Sequence, residues 1–371
     1  MKQIRYVAVL TYLALLAPGW SSNTRAQEPS VTVTRFATGL VNPRGLKFGP
    51  DGNLYVAEAG FPTGDIRHAP VGLGGDCSVG RDVPGVEYIG GTTGSRISRI
   101  DANGVVTTFV DNLPSDEVGG LDSGVADVAF IGNTMYAILA GSGCSHGVPT
   151  PNAVIRINPD RSPTIIADLG AFLRSHPVAN PTDPITGDFE PDGTWYSMIA
   201  VRGALYAVEP NHGELDKITT DGKITRVIDI SASQGHVVPT VVADHGVFYV
   251  SNLGEFDPDQ LNTQDVFHIT PSGQLRVVAT GLSKVLGLAF DGRARLYALE
   301  TSTGSPGPLP GTGRLIRILP NGQQQVLIDS TPDDRLFFPT GMTFGPDGSL
   351  YISNHGFGPP GGEILRVEVK D

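Results

Sequence analysis

The chain has 371 residues, with 26 Lys and Arg against 38 Asp and Glu, for a formal net charge of −12. That balance disfavours nucleic acid and anionic membrane surfaces as partners, because both demand positive surface, and it leaves room for cations and for neutral or cationic small molecules. Hydrophobic residues at 40%, with 48 Gly and 29 Pro, suit a loop-rich all-β domain.

The chain opens with Lys2 and Arg5, an apolar run from Tyr6 to Ala17, and Thr24-Arg25-Ala26. A charged start, a short apolar core and a small-residue site predict a secretory signal over residues 1–26, cleaved after Ala26. The run is too short to span a bilayer and no later run is longer, so no membrane span is expected. Loss of the signal removes three basic residues and no acid, taking the charge to −15. The expected location is secreted or periplasmic. The triplet Asn180-Pro181-Thr182 is blocked for glycosylation by its proline, which suits a bacterial exported protein.

Residues 31–38, VTVTRFAT, read as a lone strand, and six copies of one pattern follow. Each copy has an apolar strand, a Gly-rich turn and a short strand around a tyrosine: Tyr55, Tyr136, Tyr206, Tyr249, Tyr297 and Tyr351. A second pair of strands joined by a tight turn follows each copy except the last, as in SRISRIDANGVVTTFV and RLIRILPNGQQQVLI. Alternating apolar and polar residues and positive-φ turn glycines favour hairpins, and no helical stretch is expected after residue 30. The tyrosines lie 81, 70, 43, 48 and 54 residues apart. One propeller blade takes about 40–50 residues, so the first two units carry insertions. The prediction is an all-β, six-bladed β-propeller with four-stranded blades, occupying residues 27–371 as one domain. The last unit lacks its fourth strand, and residues 31–38 supply it, closing the ring.

If the strands of a blade are a, b, c and d from the axis outward, the b–c loops and the d-to-a connections share one face, here called the top. The long loops 60–94, 112–124, 141–152, 173–194, 254–264, 301–313 and 355–362 all fall there, while the turns opposite are short. Long loops of a compact domain commonly carry function. His68, His146, His176, His212, His236 and His355 map to the same face.

At the end of strand b sit Glu58, Glu209, Asn252, Glu300 and Asn354, with Ala140 in the second unit. Equal offsets predict equal positions around the axis. Oxygen-bearing side chains so placed suit a divalent cation such as Ca²⁺, held by Glu58, Glu209 and Glu300, or acid–base work by a raised carboxylate. They equally suit hydrogen bonding to a neighbouring blade's backbone. The matching positions at the start of strand a are Arg44, Ala126, Tyr196, Thr240, Leu286 and Thr340. Arg44 would neutralise part of the acidic ring or orient an anionic ligand, and Asp127 adds a carboxylate. Cys77 and Cys144, the only cysteines, lie in top loops of adjacent blades and are expected to form a disulfide in an oxidising compartment.

NPRGLKFGPDGNLYVAEAG, the IxRI–DG hairpins and FPTGMTFGPDGSLYISNHGFGPPGGEILRVE resemble the ScyD/ScyE family of bacterial proteins, over residues 31 to 370. The resemblance implies a six-bladed TolB-like propeller and export, with no settled reaction. More distantly, the units resemble NHL-type and gluconolactonase-like propellers, whose metal is held by Glu, Asn and Asp from inner strands. The strand-a starts here carry no carboxylate, so that site does not transfer. Sugar-dehydrogenase propellers share similar strand text, but their catalytic His and basic cofactor contacts are not found. Two readings follow: a monomeric exported propeller binding a small molecule or protein through its top face, or a hydrolase or oxidoreductase acting on a small extracellular metabolite at the channel mouth.

Overall fold

The structure, a computed structural model, describes residues 29–64, 66–67, 88–118, 121–143, 146, 148–181, 190–255, 261–305, 307–330, 335–358 and 361–371. The expected signal segment and both cysteines, Cys77 and Cys144, lie outside the described residues. Among the described residues no helix is long and apolar enough to cross a membrane.

Six antiparallel sheets are arranged around one axis. Strand β1 (Ser30–Leu40) comes first. The first blade holds β2 (Pro43–Phe48), β3 (Leu54–Glu58), the short β4 (Ile66–Arg67), β5 (Tyr88–Ile100), β6 (Val106–Val118) and β7 (Leu121–Ser123). The second holds β8 (Val125–Ile131), β9 (Thr134–Leu139), β10 (Ala153–Ile157) and β11 (Pro163–Asp168), followed by helix α1 (Leu169–Ser175). The third holds β12 (Ser197–Val201), β13 (Ala204–Glu209), β14 (Glu214–Ile218) and β15 (Ile224–Asp229), followed by α2 (Ser231–Gln234). The fourth holds β16 (Pro239–Asp244), β17 (Phe248–Asn252), β18 (Gln264–Ile269) and β19 (Leu275–Leu282). The fifth holds β20 (Val285–Phe290), β21 (Leu296–Glu300), β22 (Arg314–Ile318) and β23 (Gln324–Asp329). The sixth holds β24 (Gly341–Phe344), β25 (Leu350–Asn354) and β26 (Gly362–Lys370), and its outer strand is β1, paired antiparallel from Ser30 opposite Lys370 to Leu40 opposite Gly362.

The core is divided into six apolar clusters, each between adjacent blades. The repeated tyrosines explain this. Tyr249 meets Phe290, Tyr297 meets Phe344 and Tyr351 meets Phe48 edge-on, with ring centroids 4.9, 5.2 and 5.0 Å apart. Each phenylalanine belongs to the next blade, and Tyr55 meets Phe130 in the same way at 5.3 Å, so the tyrosines of four repeats staple the ring. The GPDG turns hold the same tyrosines from below: Tyr55 and Tyr351 donate to Asp51 and Asp347 at 3.0 and 3.2 Å. Gly52 and Gly348 take φ of 78° and 77° in these turns, a conformation costly for any residue with a Cβ.

Two details differ from the sequence expectation. Helices α1 and α2 form where none was expected; Asp168 caps α1 by accepting from Ala171 N at 2.8 Å. The insertion in the first blade, read as loops, is in part a long hairpin. The upper halves of β5 and β6 continue the ladder to Tyr88 opposite Val118, and β7 folds back along β6.

Candidate functional site

The five strand-b end residues are committed to their own blades. Glu58 accepts from Val41 N at 2.6 Å, from Arg96 Nε and Nη2 at 2.9 Å each, and from Ser98 Oγ. Glu209 accepts from Thr194 N at 2.8 Å, Asn211 N at 3.0 Å and His212 N. Glu300 accepts from Ser283 N at 2.7 Å and Arg314 Nε at 2.5 Å. Asn354 accepts from Phe337 N and donates to Glu363, both at 2.9 Å. Asn252 donates to Val237 O at 2.9 Å and accepts from Asp265 N at 2.9 Å. The physical reason is common to all five. The connection entering strand a leaves backbone groups that no ladder satisfies, and the end of strand b lies beside it.

The expected convergence of Glu58, Glu209, Glu300, Asn252 and Asn354 at the channel mouth is therefore corrected: these side chains latch loops. Among the described residues no group of three or more His, Cys, Asp or Glu side chains is placed to share one ion, so the Ca²⁺ site expected from Glu58, Glu209 and Glu300 is corrected with it. Arg44 alone of the six candidates lines the central cavity.

The cavity, about 530 Å³, opens at the top of the axis. Its base is the strand-a ring: Arg44, Ala126, Tyr196, Thr240 and Leu286 line it. The chain turns toward the axis just after strand b, so Ala140, Pro210, Leu253 and Thr301 line it as well. Five of the seven long top loops supply walls, with Asp116 and Asp122, His146, Glu190, Pro308 and Phe357 among their contributions. Most of the lining is apolar or aromatic, including Trp195 and Phe338.

Below, the shaft is barred. Tyr196 donates its phenol to Thr340 O at 3.0 Å, from the third blade to the sixth, directly across the ring. Tyr196 and Leu286 line both the upper cavity and a narrow void beneath it. In that void the buried Asp127 accepts from Met198 N at 2.9 Å and faces Lys47 at 3.9 Å. A Cβ on Gly45 would lie 2.1 Å from Asp127 Oδ1, so glycine there makes room for the carboxylate. Burial pushes Asp127 above the ordinary carboxylate range, with Lys47 opposing.

One wall of the cavity is polar. Arg44 donates to Asp122 O at 2.5 Å and to Gly356 O, and its guanidinium lies 4.4 Å from the Phe357 ring centroid. Burial lowers its pKa, against the pull of Tyr196, Asp122 and Asp116. Asp122, 5% exposed, accepts from Asn42 Nδ2 at 2.7 Å through Oδ2, while its buried Oδ1 has no hydrogen-bond partner. Burial, with Glu117 and Asp116 nearby, pushes Asp122 up to about 7 against the opposing Arg44. His146 Nε2 lies 3.0 Å from Glu190 Oε2. Burial pushes His146 down, but Asp116, Glu190 and Asp192 outweigh it and raise the imidazole to about 10, so it is a cation at neutral pH. Glu190 is itself held by Thr194 Oγ1, by Asn211 Oδ1 at its backbone N–H (2.8 Å), and by His212 Nε2 at its carbonyl (2.8 Å).

Of the six top-face histidines, His146 and His236 line the cavity and His212 supports it from behind. His176 stacks on Phe172 and His355 on Phe337, and His68 lies outside the described residues. Sequence reasoning missed Asp116, Asp122 and Glu190. All three lie in the long top loops already singled out, but they occur once each and have no counterpart in other repeats.

No family model and no curated protein sequence matches the chain. Solved structures do. A gluconolactonase from Xanthomonas campestris has a TM-score of 0.55 at 12% identity, over 92% of this chain and 95% of that one. A putative oxidoreductase (glucose dehydrogenase) from Thermus thermophilus gives 0.54 at 16%, over 91% and 100%. A Bacteroides thetaiotaomicron protein of unknown function gives 0.52 at 15%, over 92% and 77%. At such identities the likeness establishes the six-bladed propeller fold and nothing of the chemistry.

Proposed function

We propose that this chain is an exported propeller of the ScyD/ScyE kind whose top-face cavity receives a small molecule. One observation carries the reading: a 530 Å³ cavity that is mostly apolar holds a few convergent polar groups, and one of them, Asp122 Oδ1, is buried without a partner. Ligand sites are built in this way. The bar formed by Tyr196 makes the top face the way in. Export rests on the residues of the signal pattern, and the pairing of Cys77 with Cys144 belongs to the same proposal.

Native mass spectrometry of the purified mature chain, followed by fluorescence titration, tests the reading. Trp195 lines the cavity and is one of only two tryptophans; the other, Trp20, would leave with the signal. A co-purified small molecule whose removal changes Trp195 emission is the expected outcome. A chain that carries no ligand and whose emission is indifferent to every apolar probe tried would overturn it.

A second reading, an enzyme at the same mouth, is favoured by one specific feature. Burial pushes Asp122 up to about 7, where a carboxyl suits proton transfer, and the His146–Glu190 pair lines the same cavity. Conversion of the co-purified molecule by wild type but not by Asp122→Asn would establish that reading.

A further inference from the structure

Resting on the reading of the cavity as a ligand site, we propose that its ligand is an organic cation: a protonated amine on a flat apolar body, with the amine seated at Asp122 Oδ1. The argument begins with what Asp122 lacks. Its Oδ2 is occupied by Asn42, and its Oδ1 is buried with no hydrogen-bond partner. An unsatisfied buried carboxylate oxygen is costly, and a donor brought by a ligand would relieve that cost.

Charge then selects the donor. Among the described residues the lining holds three carboxylates, Asp116, Asp122 and Glu190, against Arg44 and the His146 cation, with His236 as a further imidazole. His146 answers Glu190 directly. Arg44 directs its fork at the carbonyls of Asp122 and Gly356, and its face lies against Phe357. Among the described lining residues carboxylates thus outnumber cations, in a poorly hydrated place. An anion would be repelled there. A neutral hydroxyl would satisfy Oδ1 alone, whereas an ammonium satisfies the oxygen and balances the charge. The remaining walls fit the body of such a molecule: Tyr196 and Phe338 offer aromatic surface that suits a flat apolar group and attracts a cation.

The test uses three probes with one body: 2-phenylethylamine, 2-phenylethanol and phenylacetate, titrated into the full mature chain by calorimetry at pH 8.5. The amine is expected to bind about tenfold or more tighter than the alcohol, and phenylacetate more weakly than either. Asp122→Asn is expected to lower amine affinity about tenfold while leaving the alcohol within about twofold. Should that variant fail to fold, the wild type supplies the same information through pH. The charged and titratable groups acting on Asp122 are Arg44 from β2 and Asp116 and Glu117 from β6, and those lining the same cavity are His146, Glu190, Tyr196 and His236, the last from the loop before β16. His146 stays protonated between pH 5.5 and 8.5 because its pKa is raised to about 10, and Tyr196 stays neutral because burial raises it further. Asp122, pushed up to about 7, loses its charge across that range, and a His236→Asn control removes the second cavity histidine from the comparison. Amine affinity should then fall about tenfold or more from pH 8.5 to 5.5, while the alcohol stays level.

Alcohol or phenylacetate binding as tightly as the amine overturns the cation inference and leaves the ligand cavity standing. So does amine affinity that ignores both pH and Asp122→Asn. No binding of any of the three probes overturns the cavity reading and the inference together.

Discussion

Two rings of six equivalent positions circle the axis, and they behave in opposite ways. The inner ring, Arg44, Ala126, Tyr196, Thr240, Leu286 and Thr340, is chemically mixed and gathers at the axis, where it lines the cavity and the void below it. The strand-b ring is chemically uniform, with Glu58, Glu209, Asn252, Glu300 and Asn354 all bearing side-chain oxygen, yet it stays dispersed. Its one apolar member, Ala140, is the one that lines the cavity. Uniformity around a repeat thus marks a task done once per blade, such as satisfying the backbone entering strand a. A task done once per molecule falls on residues that break the repeat.

The largest expected effect tests the dispersed ring. Glu58→Ala removes the acceptor for Val41 N, Ser98 and both guanidinium contacts of Arg96, leaving buried donors and a charge unpaired. Breaking such a pair from one side costs about 3 kcal/mol or more. Urea unfolding should show that loss, while the amine affinity of the surviving folded fraction stays unchanged. Intact stability together with lost binding would reverse the roles of the two rings.

The rings also explain how much could be read in advance. Blade number, strand order and the top face were legible because each is stated six times over, by the tyrosines, the Gly turns and the lengths of the loops. The strand-b oxygens were equally visible, but equal spacing specifies only equal location. Which way a side chain turns depends on the unpaired N–H groups of Val41, Thr194, Ser283 and Phe337, and the pattern of strand b does not display those. Asp116, Asp122 and Glu190 were illegible for the converse reason. Each sits in an unrepeated insertion, and they line one cavity only through the upper part of the β5–β6 hairpin, β7 and the loop before β12.

The next effect is graded and concerns the surroundings of the strand-b ring in the third blade. Glu214 and Asp216 alternate onto one buried face of β14, with Glu209 opposite Glu214 and the cation Arg226 2.6 Å from Glu214. Burial and the repulsion of Asp216 push Glu214 well above its ordinary 4.5, so the Glu214–Asp216 pair takes up a proton more readily in the folded state. Burial also raises Asp216. A carboxyl raised on folding contributes fully below its unfolded pKa, and that contribution is lost as pH climbs toward the folded value. His146, raised from 6.5 to about 10, acts in the same direction over its own range. Asp291 and Asp347, both lowered, act in the opposite direction in acid. Thermal stability should therefore be greatest near mildly acidic pH and fall toward pH 9. Glu214→Gln should flatten that fall by up to ~1.4 kcal/mol per pH unit. A variant whose melting curve keeps the full slope would show that Glu214 is ionised in the folded protein.

The smallest effect belongs to the inner ring and distinguishes it most sharply from the outer one. Tyr196 bars the shaft with one hydrogen bond to Thr340 O, between neutral groups, so Tyr196→Phe should cost only about 1 kcal/mol. The ring itself would stay, because the inner strands are also tied by Thr240 Oγ1 to Val285 O and by Thr340 Oγ1 to Pro43 O, each at 2.6 Å. What changes is the floor of the cavity. Losing the phenol leaves Thr340 O without that donor and frees the aromatic ring to swing away from the axis, joining the upper cavity to the void around Asp127. Probe affinity should then weaken by more than the stability change accounts for, with the amine and the alcohol affected alike, since both rest on the same floor. If stability instead fell as far as in Glu58→Ala, the inner ring would be a latch like the outer one, and the contrast between site and scaffold would fail at its centre.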